Sequence, residues 1–297
     1  MKQFAIKKIL VPVDFSYSSL KAINPAVLLA KLTKAEITLV HVIDVLPSTA
    51  PAFYFSTAGS PAYENDLTDA SNRQLNKLAL TMKKKGVEKV NLLSVRGRTH
   101  KEIIRSGKKI KADLIVMGTH GASGFSDFFM GSNTYRVVSH AECPVLSVQK
   151  HIRIYDFKNI LVPFRDKAHS REKVMYAIEM ARIYGAALQV LGLDTLGGKA
   201  HVKKMTREAE QIKKIVEGFG VKCKIKVVTA SYMGDTVLKY AKQINADLIM
   251  AGADMDKVSI SEYVIGPFIQ QIVNHSPIPV LSIRTLFNTD TIDLRFY

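Results

Sequence analysis

The chain has no tryptophan, only two cysteines and no apolar run long enough to cross a bilayer. Each shortage narrows what it can be. Cys143 and Cys223 have no CxxC partner and no nearby His/Cys cluster, which argues against a metal site and for two reduced structural thiols. A membrane helix needs roughly 18 consecutive apolar residues, and no stretch reaches that. The opening MKQFAIKKILVPVDF is broken by Pro12 and Asp14 and lacks a small-residue cleavage site, so no signal peptide is expected. A cytoplasmic protein without a membrane partner is the expectation. A Walker A motif is missing, as is a serine- and glycine-rich pyrophosphatase loop after the first strand. There is no obvious carboxylate pair for magnesium either.

Acidic residues are in deficit. The 297 residues hold 42 Lys/Arg and 26 Asp/Glu, a net charge of +16. Residues 1–150 contribute 21 basic and 11 acidic residues, and residues 151–297 contribute 21 and 15. Such a balance favours anionic partners. The lysines are dispersed, however, apart from Lys83-Lys84-Lys85, which closes a predicted helix before Gly86 where cations suit the helix dipole. No basic stripe interleaved with aromatics is present, so nucleic acid is not the expected partner.

What is present is a repeat. Ile9-Leu10-Val11-Pro12 recurs at 160–163, an offset of 151. Ala112-Asp113-Leu114-Ile115 recurs at 246–249, an offset of 134, and Pro144-Val145-Leu146-Ser147 at 279–282, an offset of 135. Three blocks in one order predict two domains, 1–150 and 151–297, the second ending in a patternless tail over Thr285–Tyr297. The shortfall of 17 residues points to an insertion in the first half, at Leu46 to Asp66, rich in Pro, Ser, Gly and aromatics and read as a long loop.

Within each half, short β-rich runs alternate with helical patterns. The first half gives strands at Lys8–Val13, Glu36–Ile43, Lys89–Val95, Asp113–Gly118 and Pro144–Val148. The second gives Asn159–Phe164, Ala187–Leu193, Cys223–Thr229, Asp247–Gly252 and Pro279–Ile283. Val174, Ala177, Ile178 and Ala181 keep helical spacing, as do Val237, Tyr240, Ala241 and Ile244. Runs such as Leu114-Ile115-Val116-Met117 are apolar throughout, as strands buried on both faces are. The fold class is therefore α/β, two tandem parallel sheets flanked by helices. Asn24-Pro25 either kinks the first helix or marks its true start. The matching last strands are apolar edges, and pairing them antiparallel would bury both in an intrachain pseudo-dimer.

In open parallel sheets, ligands bind beyond the carboxyl ends of the strands. After the fourth strand comes Gly118-x2-Gly121-x9-Gly131-Ser132, and Ser132-Asn133-Thr134 opens a helix predicted to run to His140. Free N–H groups at that helix start, with the hydroxyls of Ser132 and Thr134, make an anion site. The alternative is that the glycines only turn the chain and Ser132 only caps the helix. Asp14 leaves the first strand on the same edge, as a partner for ribose or adenine or as a helix cap. Val42 ends the second strand, where its backbone can meet an adenine edge. His120 near a phosphate can be a ligand, a general acid or simply an exposed loop residue.

The opening KKILVPVDFS, the second-strand LVHVID, the ADLIVMGTHG segment, the GSNT helix start and the closing CPVLSV together resemble the universal stress protein family in its tandem two-domain form. The Gly-x2-Gly-x9-Gly-Ser spacing resembles its ATP-binding branch. The resemblance implies Rossmann-like, adenine nucleotide alpha hydrolase-like domains with five parallel strands in the order 3-2-1-4-5. It places Pro12, Val13, Asp14 and Val42 around adenine and ribose. It places Met117, Gly118, Gly121, Gly131, Ser132 and Asn133 around ribose and phosphates, with His120 and Ser123 nearby. The implied ligand is ATP, ADP or AMP, with magnesium accompanying ATP, in a nucleotide-binding stress or regulatory protein. The expected partners are an unidentified protein and a second copy in a homo-oligomer. A slow ATP hydrolase of the same fold and a scaffold with a vestigial site stay open beside it, and no catalytic residue is assigned. The second half departs from the motif. Arg165 replaces Asp14, Met255 replaces Gly121 and Pro267 replaces Ser132, so its site is expected to be degenerate.

Overall fold

The computed structural model describes residues 5–44, 61–119, 131–152, 155–165, 172–252, 255–257, 263–265 and 267–284. The first repeat runs β1 (Lys8–Pro12), α1 (Tyr17–Lys21), α2 (Ile23–Thr33), β2 (Glu36–Asp44), α3 (Pro61–Lys84), β3 (Val90–Gly97), α4 (Thr99–Ile110), β4 (Leu114–Gly118), α5 (Ser132–His140) and β5 (Val145–Val148). The second runs β6 (Asn159–Phe164), α6 (Glu172–Tyr184), β7 (Ala187–Asp194), α7 (Lys199–Gly218), β8 (Cys223–Thr229), α8 (Met233–Gln243) and β9 (Leu248–Gly252). A short hairpin β10 (Met255–Lys257) and β11 (Tyr263–Ile265), then α9 (Pro267–His275) and β12 (Val280–Ile283), complete it.

All ten expected strands form, and they make one sheet in the order β3-β2-β1-β4-β5-β12-β9-β6-β7-β8. Each half has the order 3-2-1-4-5, with parallel pairing throughout. The halves meet where β5 and β12 pair antiparallel, Val280 opposite Ser147, Leu281 opposite Leu146 and Ser282 opposite Val145. Leu146 and Leu281 are both 0 % exposed, so the apolar edge of each half is covered by the other. This joint centres on Leu146 and Leu281 and relates the halves by an approximate two-fold. The carboxyl edges of the two half-sheets therefore face opposite ways. Across the joint, the Arg284 guanidinium donates to His140 O at 3.2 Å, placing a cation on the last carbonyls of α5.

Alternation along each strand feeds two core layers. Ile9, Val11, Ile37, Leu39, Leu114 and Val116 pack beneath α2 and α3, in a layer that continues into the second repeat. Leu10, Val40, Ile115 and Met117 pack beneath α4 and α5. Burial pushes the Cys143 thiol up to about 12 and the Cys223 thiol up to about 11, so neither is a thiolate at neutral pH.

Three expectations need correcting or completing. The helical break falls at Ala22, and Pro25 sits in the first turn of α2, where its missing N–H is harmless. The predicted loop over Leu46–Asp66 is too long: α3 already begins at Pro61, because proline suits the first helical position. Residues 45–60 and 285–297 lie outside the described residues. The β10–β11 hairpin has no counterpart in the reading of the sequence, since its three-residue strands are too short to show a period.

The repeated Ala-Asp-Leu-Ile block has a structural cause. Asp113 Oδ2 accepts the amides of Lys7 and Lys8 at 2.8 and 2.9 Å, pinning the start of β1 to β4. Asp247 Oδ2 does the same for Lys158 and Asn159 at 2.8 and 2.9 Å. Asp113→Ala should therefore destabilise the first repeat by about 1–3 kcal/mol, the scale for hydrogen bonds to a charged group. Urea titration checks this, and no change in midpoint would remove the explanation.

Candidate functional site

Between β1 and β4 the chain connections leave the sheet in opposite directions, which opens a crevice at the carboxyl ends. A cleft of about 490 Å³ lies there. Pro12, Val13 and Asp14 from the end of β1, Val42 from β2, Met117 and Gly118 from β4, and Gly131, Ser132 and Asn133 at the start of α5 all line it. Of the residues singled out from the sequence, His120, Gly121 and Ser123 lie outside the described residues. The cleft also takes in Ser19, Val40, His41, Ile43, Asp44, Thr99, Ile103 and Thr134. Most of these were missed because no short motif marks them. They are brought in by β2 running on past β1 and by α4 crossing above it.

The elbow after β1 is built by local polar bonds. Asp14 Oδ1 accepts the amide of Ser16 at 3.0 Å, and the Asp14 amide donates to Ser19 Oγ at 3.3 Å. Ser16, not Asp14, caps α1, by accepting from the Ser19 amide. Phe15 between them has φ of 61°, a left-handed conformation that side chains rarely adopt. Its ring packs on His41 with centroids 4.6 Å apart, and His41 Nδ1 is bonded to Val13 O at 2.8 Å. These contacts hold the strained elbow and leave Asp14 exposed on the cleft rim.

The opposite wall is the start of α5. Gly131 is its N-cap, with φ −56° and ψ 144°, a conformation open to any residue. Being glycine, it has no side chain with which to cap the helix. Gly131 N donates to Thr119 O at 2.8 Å, while Ser132, Asn133 and Thr134 carry first-turn N–H groups that have no partner within the helix. Ser132 is thus the first helical residue and does not cap. Thr134 is a correction to the expected hydroxyl pair. It is 3 % exposed, and its Oγ1 donates to Gly118 O at 3.0 Å and Thr119 O at 3.3 Å, so it braces β4 against α5. Gly118 also serves packing: an added Cβ would stand 2.6 Å from Ser18 O.

The far end is closed by α4. Asp44 Oδ1 accepts from Thr99 Oγ1 at 2.7 Å and from the Thr99 amide at 3.3 Å, supplying a cap that Arg98 does not. Beside it, Arg136 Nη1 approaches His100 Nδ1 at 3.4 Å. Burial, then the Arg136 charge, lowers His100 below the usual imidazole range, against a bond to the Asn133 side chain that raises it.

The same address in the second repeat is built differently. Arg165, in the place of Asp14, stacks over the Phe268 ring at 5.1 Å, and Phe268 stands in the place of Asn133. Pro267 is the first residue of α9, and Met255 opens β10. Further along that edge, Asp194 is buried. It accepts the amides of Leu196 and Gly197, both at 3.1 Å, and is paired with His201. Burial alone would raise the Asp194 carboxyl, but His201 and the two amides outweigh it and hold it below the ordinary range.

Comparison with known proteins agrees with this architecture. A family model described as the universal stress protein family matches residues 5–149 and again 156–284. A universal stress protein of Methanocaldococcus jannaschii is 35 % identical over 144 residues, spanning 48 % of this chain and 82 % of its own. One of Thermus aquaticus is 32 % identical over 143 residues, 48 % of this chain and 98 % of its own. Among solved structures, a universal stress protein from Archaeoglobus fulgidus superposes with a TM-score of 0.76 at 20 % identity, covering 95 % of this chain and 97 % of that one. Such a likeness bears on the fold of both repeats together. With two matches in tandem, each on a five-stranded parallel half-sheet, the chain belongs to the universal stress protein family.

Proposed function

We propose that the first repeat binds one adenine nucleotide in the β1–β4 cleft and that the second repeat does not. The observation that carries this reading is the facing of two unlike walls. Asp14 and the ends of β1 and β2 present acceptors suited to ribose and adenine. Across the cleft, the start of α5 presents the N–H groups of Ser132 and Asn133 and the Ser132 hydroxyl to an anion. A volume of about 490 Å³ suits a ligand of this size. Gly118, Gly131 and Ser132 keep the motif spacing; Gly121 and His120 belong to the same segment of sequence. ATP, ADP and AMP share the features that these walls recognise. Magnesium would enter with the phosphates of ATP rather than on its own ligand set: among the described residues no three His, Cys, Asp or Glu side chains come together. Occupancy would then favour one conformation of the elbow and of α5, the means by which a regulatory protein reports a nucleotide.

Calorimetric titration of the whole chain with ATP, ADP and AMP tests this, with one site per chain expected. Ligand at 100 times its dissociation constant should stabilise the folded state by about 2.7 kcal/mol, visible as a raised melting temperature. Two equivalent sites would refute the asymmetry. No binding of any of the three would favour a partner-binding scaffold instead.

A further inference from the structure

We infer that His100 and Arg136 form a subsite for the terminal phosphate of that nucleotide, which makes the cleft selective for a longer phosphate chain. The inference rests on the nucleotide reading above and extends it by one phosphate-recognising pair outside the Gly-x2-Gly-x9-Gly-Ser motif.

Position comes first. Thr99 and Asn133 line the cleft on its two helical walls. His100 follows Thr99 on α4, and Arg136 lies one turn along α5 from Asn133. The His100 ring is held between Arg136 Nη1, 3.4 Å away, and the Asn133 side chain. An anion leaving the first turn of α5 toward α4 therefore meets this pair next.

Charge comes second. The charged groups that perturb His100 are Arg136, Lys101 and His140, all basic residues. Arg136 is exposed, and among the described residues its guanidinium meets a histidine ring rather than a carboxylate. The Arg136 and Lys101 cations raise the local potential toward an anion, set against the Asp44 carboxylate beside them, which is bonded to Thr99. A guanidinium and an imidazole both suit phosphate oxygens.

The repeat supplies the control. At the offsets of 134 and 135, His100 corresponds to Gly234, Lys101 to Asp235 and Arg136 to Gln271. There the two helices cross with Gln271 lying on Gly234, where an added Cβ would overlap the Gln271 side-chain amide. The Gln271 amide donates to Asp235 Oδ1 at 2.7 Å. The crossing therefore packs without cations and even tolerates an acid. Packing does not require His100 and Arg136. They occur in the half that has Ser132 and are missing from the half that has Pro267.

The test is calorimetric titration of the intact chain and of a His100→Gln/Arg136→Gln double variant with ATP and with AMP. In the unchanged protein ATP should bind about tenfold or more tightly than AMP, and in the variant that ratio should fall to near one. Arg136→Lys alone should keep part of the preference. A variant that retains the original ratio would overturn the inference while leaving the nucleotide reading intact. Equal losses for ATP and AMP would also overturn it, by assigning the pair to the shape of the cleft. Failure of both nucleotides to bind the unchanged protein would overturn the nucleotide reading itself. Inorganic pyrophosphate, titrated alone, separates a nucleotide-borne phosphate from a free anion: binding as tight as that of ATP would mark a general anion site instead.

Discussion

Gly118→Ala is expected to lower the stability of the first repeat and its nucleotide affinity together, whereas the matched change Gly252→Ala leaves nucleotide affinity unchanged, whatever it costs in stability. An alanine Cβ at 118 would lie 2.6 Å from Ser18 O and 2.9 Å from Ser18 C, both backbone atoms of α1. Backbone cannot swing aside, so α1 must shift as a unit. Overpacking of this kind costs about 1–3 kcal/mol. The shift is transmitted to the cleft, because Ser19 receives the Asp14 amide and Ser16 is held by the Asp14 carboxylate. At 252 the obstructing atoms are Cε and Nζ of Lys173, a side chain only 4 % exposed, so a buried lysine rather than backbone must give way. Urea midpoints and calorimetric affinities for both variants decide the matter. Lost affinity with unchanged stability at 118 would mean that the glycine makes room for ligand rather than for α1. Lost nucleotide affinity with Gly252→Ala would mean that the second repeat also takes part in binding.

This distinction could not be read from the sequence, where Gly118 looks like any glycine of a phosphate loop. The strands could be read, because full burial writes Leu114–Met117 as an unbroken apolar run and the repeat then checks each assignment against its partner. The strand pairing at the joint was legible for the same reason: two identical apolar edges need cover, and Leu146 and Leu281 provide it for each other. Long-range polar roles were not. Asp113 reads as one letter of a repeated block, yet its function is to hold two amides 105 and 106 residues away in sequence. Asp44, Thr99 and His41 reach the cleft only through strand register and helix crossing. Asp14 and Ser16 are both plausible caps two residues apart, and the choice between them rests on the left-handed turn at Phe15, which a bulky residue does not advertise.

Ser132→Pro is expected to abolish nucleotide binding and leave the fold intact. The change gives the first repeat the residue that its own second repeat carries at that place. Pro267 is the first residue of α9, the helical position that proline favours, and α9 forms a full helix to His275 behind it. Ser132 is likewise the first residue of α5 after the Gly131 cap. A proline there loses no intrahelical hydrogen bond, since the first-turn amides have none to lose. It does remove the Ser132 N–H and hydroxyl, two donors that the proposed phosphate would use. Hydrogen bonds to a charged group are worth about 1.5–3 kcal/mol each, so losing two weakens binding by a hundredfold or more. Circular dichroism and thermal melting without ligand should match the unchanged protein, and calorimetry should show no heat of binding. Retained affinity would place the phosphates away from α5. The converse change, Pro267→Ser, should not create a second site. Arg165 still stacks on Phe268, and Met255 still replaces Gly121 of the motif.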